Sequence, residues 1–71
     1  MTNTRMKAQR KKLNMSQTEL AQKASATRQT IGLIEAGEFN PSLKLCLSIC
    51  YALDVTLDEI FWEDQSHEKE N

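Results

Sequence analysis

Residues that interrupt helices are scarce in this chain, whose 71 residues include one proline and two glycines. That scarcity argues against a turn-rich β sandwich, and the 39% share of apolar residues argues against a disordered chain. No apolar run approaches the roughly 18 residues that a membrane span requires, and residues 1–12 lack the apolar core of a signal peptide. Two cysteines, Cys46 and Cys50, are too few for the disulfide framework of a small secreted domain. We therefore expect one compact helical domain in the cytoplasm.

Charge is distributed unevenly along the chain, although the net charge is only −1. Residues 1–44 hold eight Lys or Arg and three acids, which gives +5, whereas residues 45–71 hold one Lys and seven acids, which gives −6. A separation of this kind can present one face to phosphate while the other stays in solvent. Two ordinary solvated faces would produce the same pattern, so charge alone leaves both interpretations open.

The first segment with a helical pattern covers residues 3–13. Met6, Arg10 and Leu13 recur at the i, i+4, i+7 spacing of a helix, and we expect them on one inward face. Asn14 follows directly. Because Asn tolerates the left-handed conformation with which many helices end, it is expected to end this one.

Two short helices separated by a brief break are predicted next. Ser16 and Glu19 have the spacing of a capping box, which predicts a second helix over residues 17–23. Residues 24–26 form the break, and Thr27 is the N-cap of a third helix. The positions expected to face the core are Leu20, Ala21, Ile31 and Ile34. Two helices this close together fit a helix-turn-helix.

Gly37 is expected to stop the third helix, and residues 38–42 form a loop. Asn40-Pro41 cannot continue a helix, because proline disfavours the helical conformation of the residue before it. The fourth helix begins at Pro41 or Ser42 and runs to Leu53. Its apolar positions form one broad stripe made of Leu43, Cys46, Ile49, Cys50 and Leu53.

A fifth, short helix closes the predicted domain. Asp54 ends the fourth helix, and Thr56 with Glu59 forms a second capping box. The apolar side chains of the fifth helix are Leu57, Ile60 and Phe61. We therefore expect an all-α fold of five helices over residues 1–62, followed by an acidic, flexible tail over residues 63–71 that has no apolar residue.

At residues 16–37 the segment SQTELAQKASATRQTIGLIEAG resembles the helix-turn-helix of Cro/cI-type phage repressors, the XRE family of regulators. The resemblance continues through FNPSLKLCLSICYALDVTLDEIF and favours the short, single-domain form. It implies the five-helix, lambda-repressor-like fold with the helix-turn-helix at helices two and three. Asn14 and Asp54 stand where relatives commonly have glycine, and both can adopt the required backbone. Phe39 replaces a common Tyr and has no hydroxyl with which to contact a phosphate.

The resemblance places the third helix in the major groove of DNA, with its N-terminal residues foremost. The expected base-contacting residues are Thr27, Arg28, Gln29, Gly32 and Leu33. An Arg side chain suits the O6 and N7 atoms of guanine, and Gln suits N6 and N7 of adenine. Gly32 permits close approach to DNA or is a tolerated helix defect. Leu33 contacts a thymine methyl group or covers the edge of the core.

The same resemblance implies contacts to the phosphate backbone, which position a protein without specifying a sequence. Gln17 lies at a helix N-terminus, where exposed amides and the helix dipole favour an anion. A solvated Gln17 is the alternative. The other expected phosphate contacts are Thr30, Asn40, Ser42 and Lys44.

Two further sets of residues have implied structural roles. The family pairs an Arg of the first helix with a Glu at the end of the recognition helix, which here are Arg10 and Glu35. The end of the fifth helix often lies at the two-fold interface of relatives. Leu57, Phe61 and Trp62 are therefore the expected dimer contacts, although Trp62 would also suit a role as a cover of the core, and Leu45 and Tyr51 are candidate additions.

Neither metal nor cofactor binding is predicted. Cys46 and Cys50 do not complete the four ligands of a zinc site, and the sole histidine, His67, lies in the expected tail. We interpret the two cysteines as small apolar core residues. No paired carboxylates, nucleophile–base pair or phosphate-binding glycine loop indicates an enzyme.

The leading hypothesis is a nucleoid-associated bacterial or phage regulator that binds double-stranded DNA as a homodimer on a pseudo-palindromic operator. We expect it to be a repressor, and activation is equally open mechanically. No membrane contact and no ligand-sensing domain are expected. Two alternatives stay open: a DNA-binding antitoxin or restriction-modification controller, and a protein-interaction module without DNA binding. Polar residues at the start of the third helix argue against the last, because a scaffold does not need them.

Overall fold

The computed structural model describes residues 3–61 and confirms the all-α fold. Within these residues five helices follow one another, and there is no strand. Their bounds are α1 Thr4–Lys12, α2 Gln17–Ala24, α3 Arg28–Ala36, α4 Leu43–Leu53 and α5 Leu57–Ile60. Trp62, the expected tail over 63–71 and the boundary between them lie outside the described residues.

Side-chain caps begin α2 and α3 where the sequence predicts them. The Ser16 hydroxyl accepts from the Glu19 amide at 3.0 Å, and the Glu19 carboxylate accepts from the Ser16 amide at 2.8 Å. The Thr27 hydroxyl accepts from the Thr30 amide at 3.1 Å. These contacts satisfy amides that have no partner inside their own helix, so the start of each helix is set locally.

Left-handed residues lie at or just after the ends of four helices, α1 to α4. Asn14 (φ 56°), Asp54 (φ 61°) and Gly37 (φ 78°) adopt this conformation, as their residue types predict. Ser25 (φ 59°) adopts it too, which was not predicted. The predicted end of α2 at residue 23 is short by one residue, because Ala24 stays helical and is buried in the core.

The core lies where α2 packs against α3 and α4, with α1 packed against α3 and α5. Its members come from all five helices. They are Met6, Leu20, Ala21, Ala24, Ile31, Ile34, Ile49, Cys50, Leu53 and Ile60. None of the helices among residues 3–61 has the length and apolar character needed to cross a membrane.

Two inward placements predicted from helical spacing are wrong. Leu13 is 40% exposed because it follows the last residue of α1 as its C-cap and has left the helical period. Leu43 is 63% exposed. It is the first residue of α4 and aligns with Leu47 and Tyr51 at i, i+4, i+8, beside the buried stripe of Cys46, Ile49, Cys50 and Leu53.

Candidate nucleic-acid interface

The N-terminal end of α3 is an exposed polar surface on a helix whose other side is buried. Thr27, Arg28 and Gln29 are exposed, whereas Ile31 and Ile34 lie in the core. The Thr27 hydroxyl donates to the Thr30 hydroxyl at 2.9 Å while it caps the helix. The side chains of Arg28 and Gln29 thus project from a fixed helix end, the arrangement needed to reach base edges in a groove.

One turn further along α3, Gly32 and Leu33 are half-buried. A Cβ atom added to Gly32 would lie 3.8 Å from Nε2 and 3.9 Å from Oε1 of Gln17, which is ordinary van der Waals contact. A small cleft borders this position, lined by Lys7, Gln17, Gly32, Glu35 and Ala36. The fold itself therefore has room for alanine at position 32, and packing within the chain does not explain the glycine.

The buried side chains of Arg10 and Glu35 form a bidentate ion pair that joins α1 to α3. Arg10 Nε lies 2.7 Å from Glu35 Oε2, and Nη2 lies 3.2 Å from Oε1. Arg10 Nη1 also donates to the Met15 carbonyl at 2.8 Å, which ties the connection between α1 and α2 to the same group. Parallel hydrogen bonds of this kind fix orientation as well as distance, so the ion pair holds α3 in a defined position.

Gln17 adds a contact that the sequence did not predict. Its Nε2 donates to Glu35 Oε1 at 3.1 Å, so the first residue of α2 is bonded to the last turn of α3. The backbone amides at the start of α2 retain the geometry of a helix N-terminus. The side chain of Gln17 is therefore held in place by the same carboxylate that binds Arg10.

Of the remaining expected phosphate contacts, Thr30 is half-buried within α3, and the other three follow α3 in the chain. Asn40 and Ser42 are exposed in the loop that leads to α4, and Lys44 is exposed in the first turn of α4. The Ser42 hydroxyl accepts from the Leu45 amide at 3.1 Å and so begins α4. Its own proton is left for another acceptor, because a hydroxyl both donates and accepts.

The expected dimer contacts are only partly at the surface. Leu57 and Phe61 are half-buried and pack against the core of their own chain, and Trp62 lies outside the described residues. Of the two candidate additions, Leu45 also packs against the core, while Tyr51 is 90% exposed. The large apolar side chains left open on α4 are Leu43, Leu47 and Tyr51.

Cys46 and Cys50 are buried free thiols, which confirms their interpretation as core residues. Burial raises the pKa of both thiols, and the nearby Cys46, Glu59 and Asp58 raise the pKa of Cys50 further. A raised pKa keeps a thiol protonated and unreactive. Residues 3–61 hold no cluster of three or more potential metal ligands.

Comparisons with known proteins agree with this geometry. The sequence model of the helix-turn-helix family matches residues 6–60. An HTH-type transcriptional regulator of Archaeoglobus fulgidus is 42% identical over 62 residues, which are 87% of each chain. YgzD, an HTH-type transcriptional regulator of Bacillus subtilis, is 35% identical over 63 residues, 89% of this chain and 96% of the relative.

Among solved structures, the restriction-modification controller protein C.AhdI from Aeromonas hydrophila superposes with a TM-score of 0.79 at 32% identity. The match covers 83% of this chain and 89% of C.AhdI. Sequence and fold thus agree over nearly all of the described residues. The chain belongs to the helix-turn-helix family, as an XRE-type DNA-binding transcriptional regulator.

Proposed function

We propose that this regulator is a homodimeric repressor that recognises a pseudo-palindromic operator through α3. The observation that carries the proposal is the pair of exposed side chains, Arg28 and Gln29, at the capped N-terminus of a helix whose other face is buried. An Arg suited to guanine and a Gln suited to adenine, next to each other, can specify a short run of bases.

Contacts to the phosphate backbone place α3 in the major groove, where its side chains can read the bases. A major groove about 12 Å wide admits α3, and its N-terminal residues reach the base edges. Gln17 and the α2 N-terminus on one side, and Asn40, Ser42 and Lys44 on the other, hold the phosphate backbone. The Arg10–Glu35–Gln17 contacts support this arrangement, because they fix α2 and α3 relative to each other.

A dimer presents two such helices, and the two half-sites are expected about 34 Å apart, one turn of the duplex. Repression follows where the operator overlaps a promoter, since the bound dimer then excludes the polymerase.

A restriction-modification controller is the second candidate function. It is favoured by the likeness to C.AhdI, a protein of that name, at a TM-score of 0.79. The two candidates share the DNA-binding surface and differ in the genes they control. A methyltransferase or endonuclease reading frame adjoining the gene of this protein would favour the controller.

In vitro selection of binding sites from random duplex DNA, at two salt concentrations, tests the proposed function. We expect an inverted repeat whose half-sites are one helical turn apart, with affinity that falls steeply as salt rises. Recovery of no motif, with weak binding that depends only on salt, would contradict specific recognition and favour an interaction module.

Arg28→Ala tests the recognition surface. It should weaken binding to the selected site by roughly 5- to 150-fold for each half-site, equivalent to about 1–3 kcal/mol, since one bidentate base contact is lost in each half-site. Urea unfolding should be unchanged because Arg28 is exposed. Lys12→Ala, which removes an exposed charge from α1, is the control and should reduce affinity for all duplexes alike. Equal effects of the two substitutions would contradict base reading by Arg28.

A further inference from the structure

Helix α4 is apolar on two adjacent faces, of which its own chain covers only one. Cys46, Ile49, Cys50 and Leu53 face the core. Leu43, Leu47 and Tyr51 lie beside them at i, i+4, i+8 and are 63%, 50% and 90% exposed. We call these three side chains the α4 stripe. Lys44 is the one charged residue among the eleven of α4. A helix this apolar around its circumference is typically buried on more than one side.

We infer that the α4 stripe is the two-fold interface of a homodimer, in which α4 packs antiparallel against α4 of a second copy. This inference rests on the dimer of the proposed function and assigns its surface. The spacing supports it, because Leu47 lies midway between Leu43 and Tyr51. Around a two-fold axis through Leu47, each Leu43 meets the partner's Tyr51 and each Leu47 meets its own counterpart. A two-fold interface requires such self-complementarity.

Charge favours the same orientation. The C-terminal end of the stripe is bordered by Asp54 and Glu59, which with Tyr51 line a cleft between α4 and α5. At the N-terminal end, beside Leu43, the first turn of α4 has no acidic residue. An antiparallel arrangement brings the positive end of each helix dipole toward the partner's negative end and its acidic side chains. A parallel arrangement would bring like ends together.

The α4 stripe has more apolar surface to offer a second copy than α5 has. Leu57 and Phe61 are already engaged with the core, so they have less apolar surface to offer a partner. The α4 stripe is contiguous, exposed and almost free of charge, which is typical of a surface covered by another protein. Two helices packed through such side chains lie about 8–10 Å apart.

Leu47→Glu tests the interface by placing two carboxylates against each other on the proposed axis. Sedimentation equilibrium of the wild type should give twice the 8.1 kDa monomer mass. The variant should raise the dimer dissociation constant by roughly 100-fold or more, since like charges across an interface are strongly unfavourable. Leu13→Glu makes the same chemical change at another exposed leucine, the C-cap of α1, and should leave the dimer intact. Circular dichroism confirms that both variants fold.

A charge-complementation experiment shows whether residue 47 faces itself. Leu47→Glu and Leu47→Lys should each be monomeric alone, whereas their equimolar mixture should form a heterodimer at the wild-type mass. The inference is overturned by a monomeric wild type, by a dimer that survives Leu47→Glu, or by a mixture that stays monomeric. If the wild type selects an inverted repeat and the Leu47→Glu variant is still a dimer, this interface is rejected and the proposed function is kept. A dimer lost in Leu47→Glu, with no DNA motif selected, would keep the interface and reject the proposed function.

Discussion

At the scale of single residues, the Glu35 carboxylate ties three helices together. Its carboxylate accepts from Arg10 Nε, Arg10 Nη2 and Gln17 Nε2. The three donors come from α1 and α2, while the acceptor belongs to α3. The family resemblance implied the Arg10–Glu35 pair, but not Gln17, because a hydrogen bond between residues 18 apart depends on how the helices pack. Gln17, which is expected to contact the DNA backbone, therefore also helps to hold α3 in position.

Glu35→Ala should destabilise the protein by about 3–5 kcal/mol, since it leaves the Arg10 guanidinium buried without its counter-charge. That is a large share of the stability of a domain this small. Urea unfolding measures the loss. Glu38→Ala, at an exposed glutamate just after α3, is the control and should change stability by less than about 0.5 kcal/mol.

The double variant Arg10→Met/Glu35→Leu separates burial of a lone charge from loss of packing. It should recover most of the stability, because apolar side chains of similar size replace both charges. If the double variant is no more stable than Glu35→Ala, the destabilisation arises from packing or from the lost hydrogen bonds to the Met15 carbonyl and Gln17, and the unpaired buried charge is not its cause.

Gly32→Ala should separate stability from DNA binding. Alanine raises the stability of a helix interior by about 0.5–1 kcal/mol over glycine, and its Cβ would only touch Gln17 at 3.8 Å. If Gly32 allows close approach to DNA, affinity for the selected site should fall by roughly tenfold, equivalent to about 1.4 kcal/mol. Thermal unfolding and fluorescence anisotropy measure the two quantities.

Gln22→Ala, at an exposed position of α2, is the matched helix-propensity control for Gly32→Ala. It adds no atom near α3 and should leave affinity unchanged. Gly32→Ala binding as tightly as the wild type would identify the glycine as a tolerated helix defect.

At the scale of helices and turns, the features predicted best were the helix starts and ends, which depend on interactions between residues close in the sequence. The Ser16–Glu19 capping box, the end of α3 at Gly37 and the left-handed Asn14 and Asp54 follow from local chemistry, and at α5 the Glu59 carboxylate accepts from the Thr56 amide at 2.8 Å. Ser25 was not predicted, because a left-handed serine carries no local signal and is imposed by the turn between two packed helices. The outward position of Leu43 was missed for a related reason: its spacing also fits the buried stripe, and only packing decides between the two faces.

Asp54→Gly should stabilise the end of α4. A non-glycine residue at φ 61° is under backbone strain, and a carboxylate lies unfavourably at the negative end of the helix dipole. We expect the free energy of unfolding to rise by about 0.5–1 kcal/mol. Asp54→Ala removes the charge but retains a Cβ, and it should be neutral or destabilising. Equal gains from both variants would attribute the effect to charge and not to the backbone.

At the scale of the whole molecule, a DNA-binding protein with a net charge of −1 has to keep its acidic residues from opposing its partner. The basic residues of the first 44 positions include Arg28 and Lys44 of the candidate interface, and the last 27 positions carry −6. The separation of basic from acidic residues is plain in the sequence. It does not by itself indicate a DNA-binding face, because two solvated faces give the same pattern. In the structure Arg28, at the start of α3, and Lys44, in the first turn of α4, are both exposed.

Neutralising the acids near the C-terminus should therefore strengthen DNA binding in a way that salt removes. A variant with Glu63→Gln, Asp64→Asn, Glu68→Gln and Glu70→Gln changes the net charge from −1 to +3. Its affinity for random duplex should rise several-fold at about 0.01 M salt, where charges interact over roughly 30 Å, and should match the wild type near 1 M, where that distance is about 3 Å. Fluorescence anisotropy at both salt concentrations measures this. An increase that persists at high salt would mean that these residues contact DNA or compete with it directly, and no increase at low salt would mean that the two charged regions act independently.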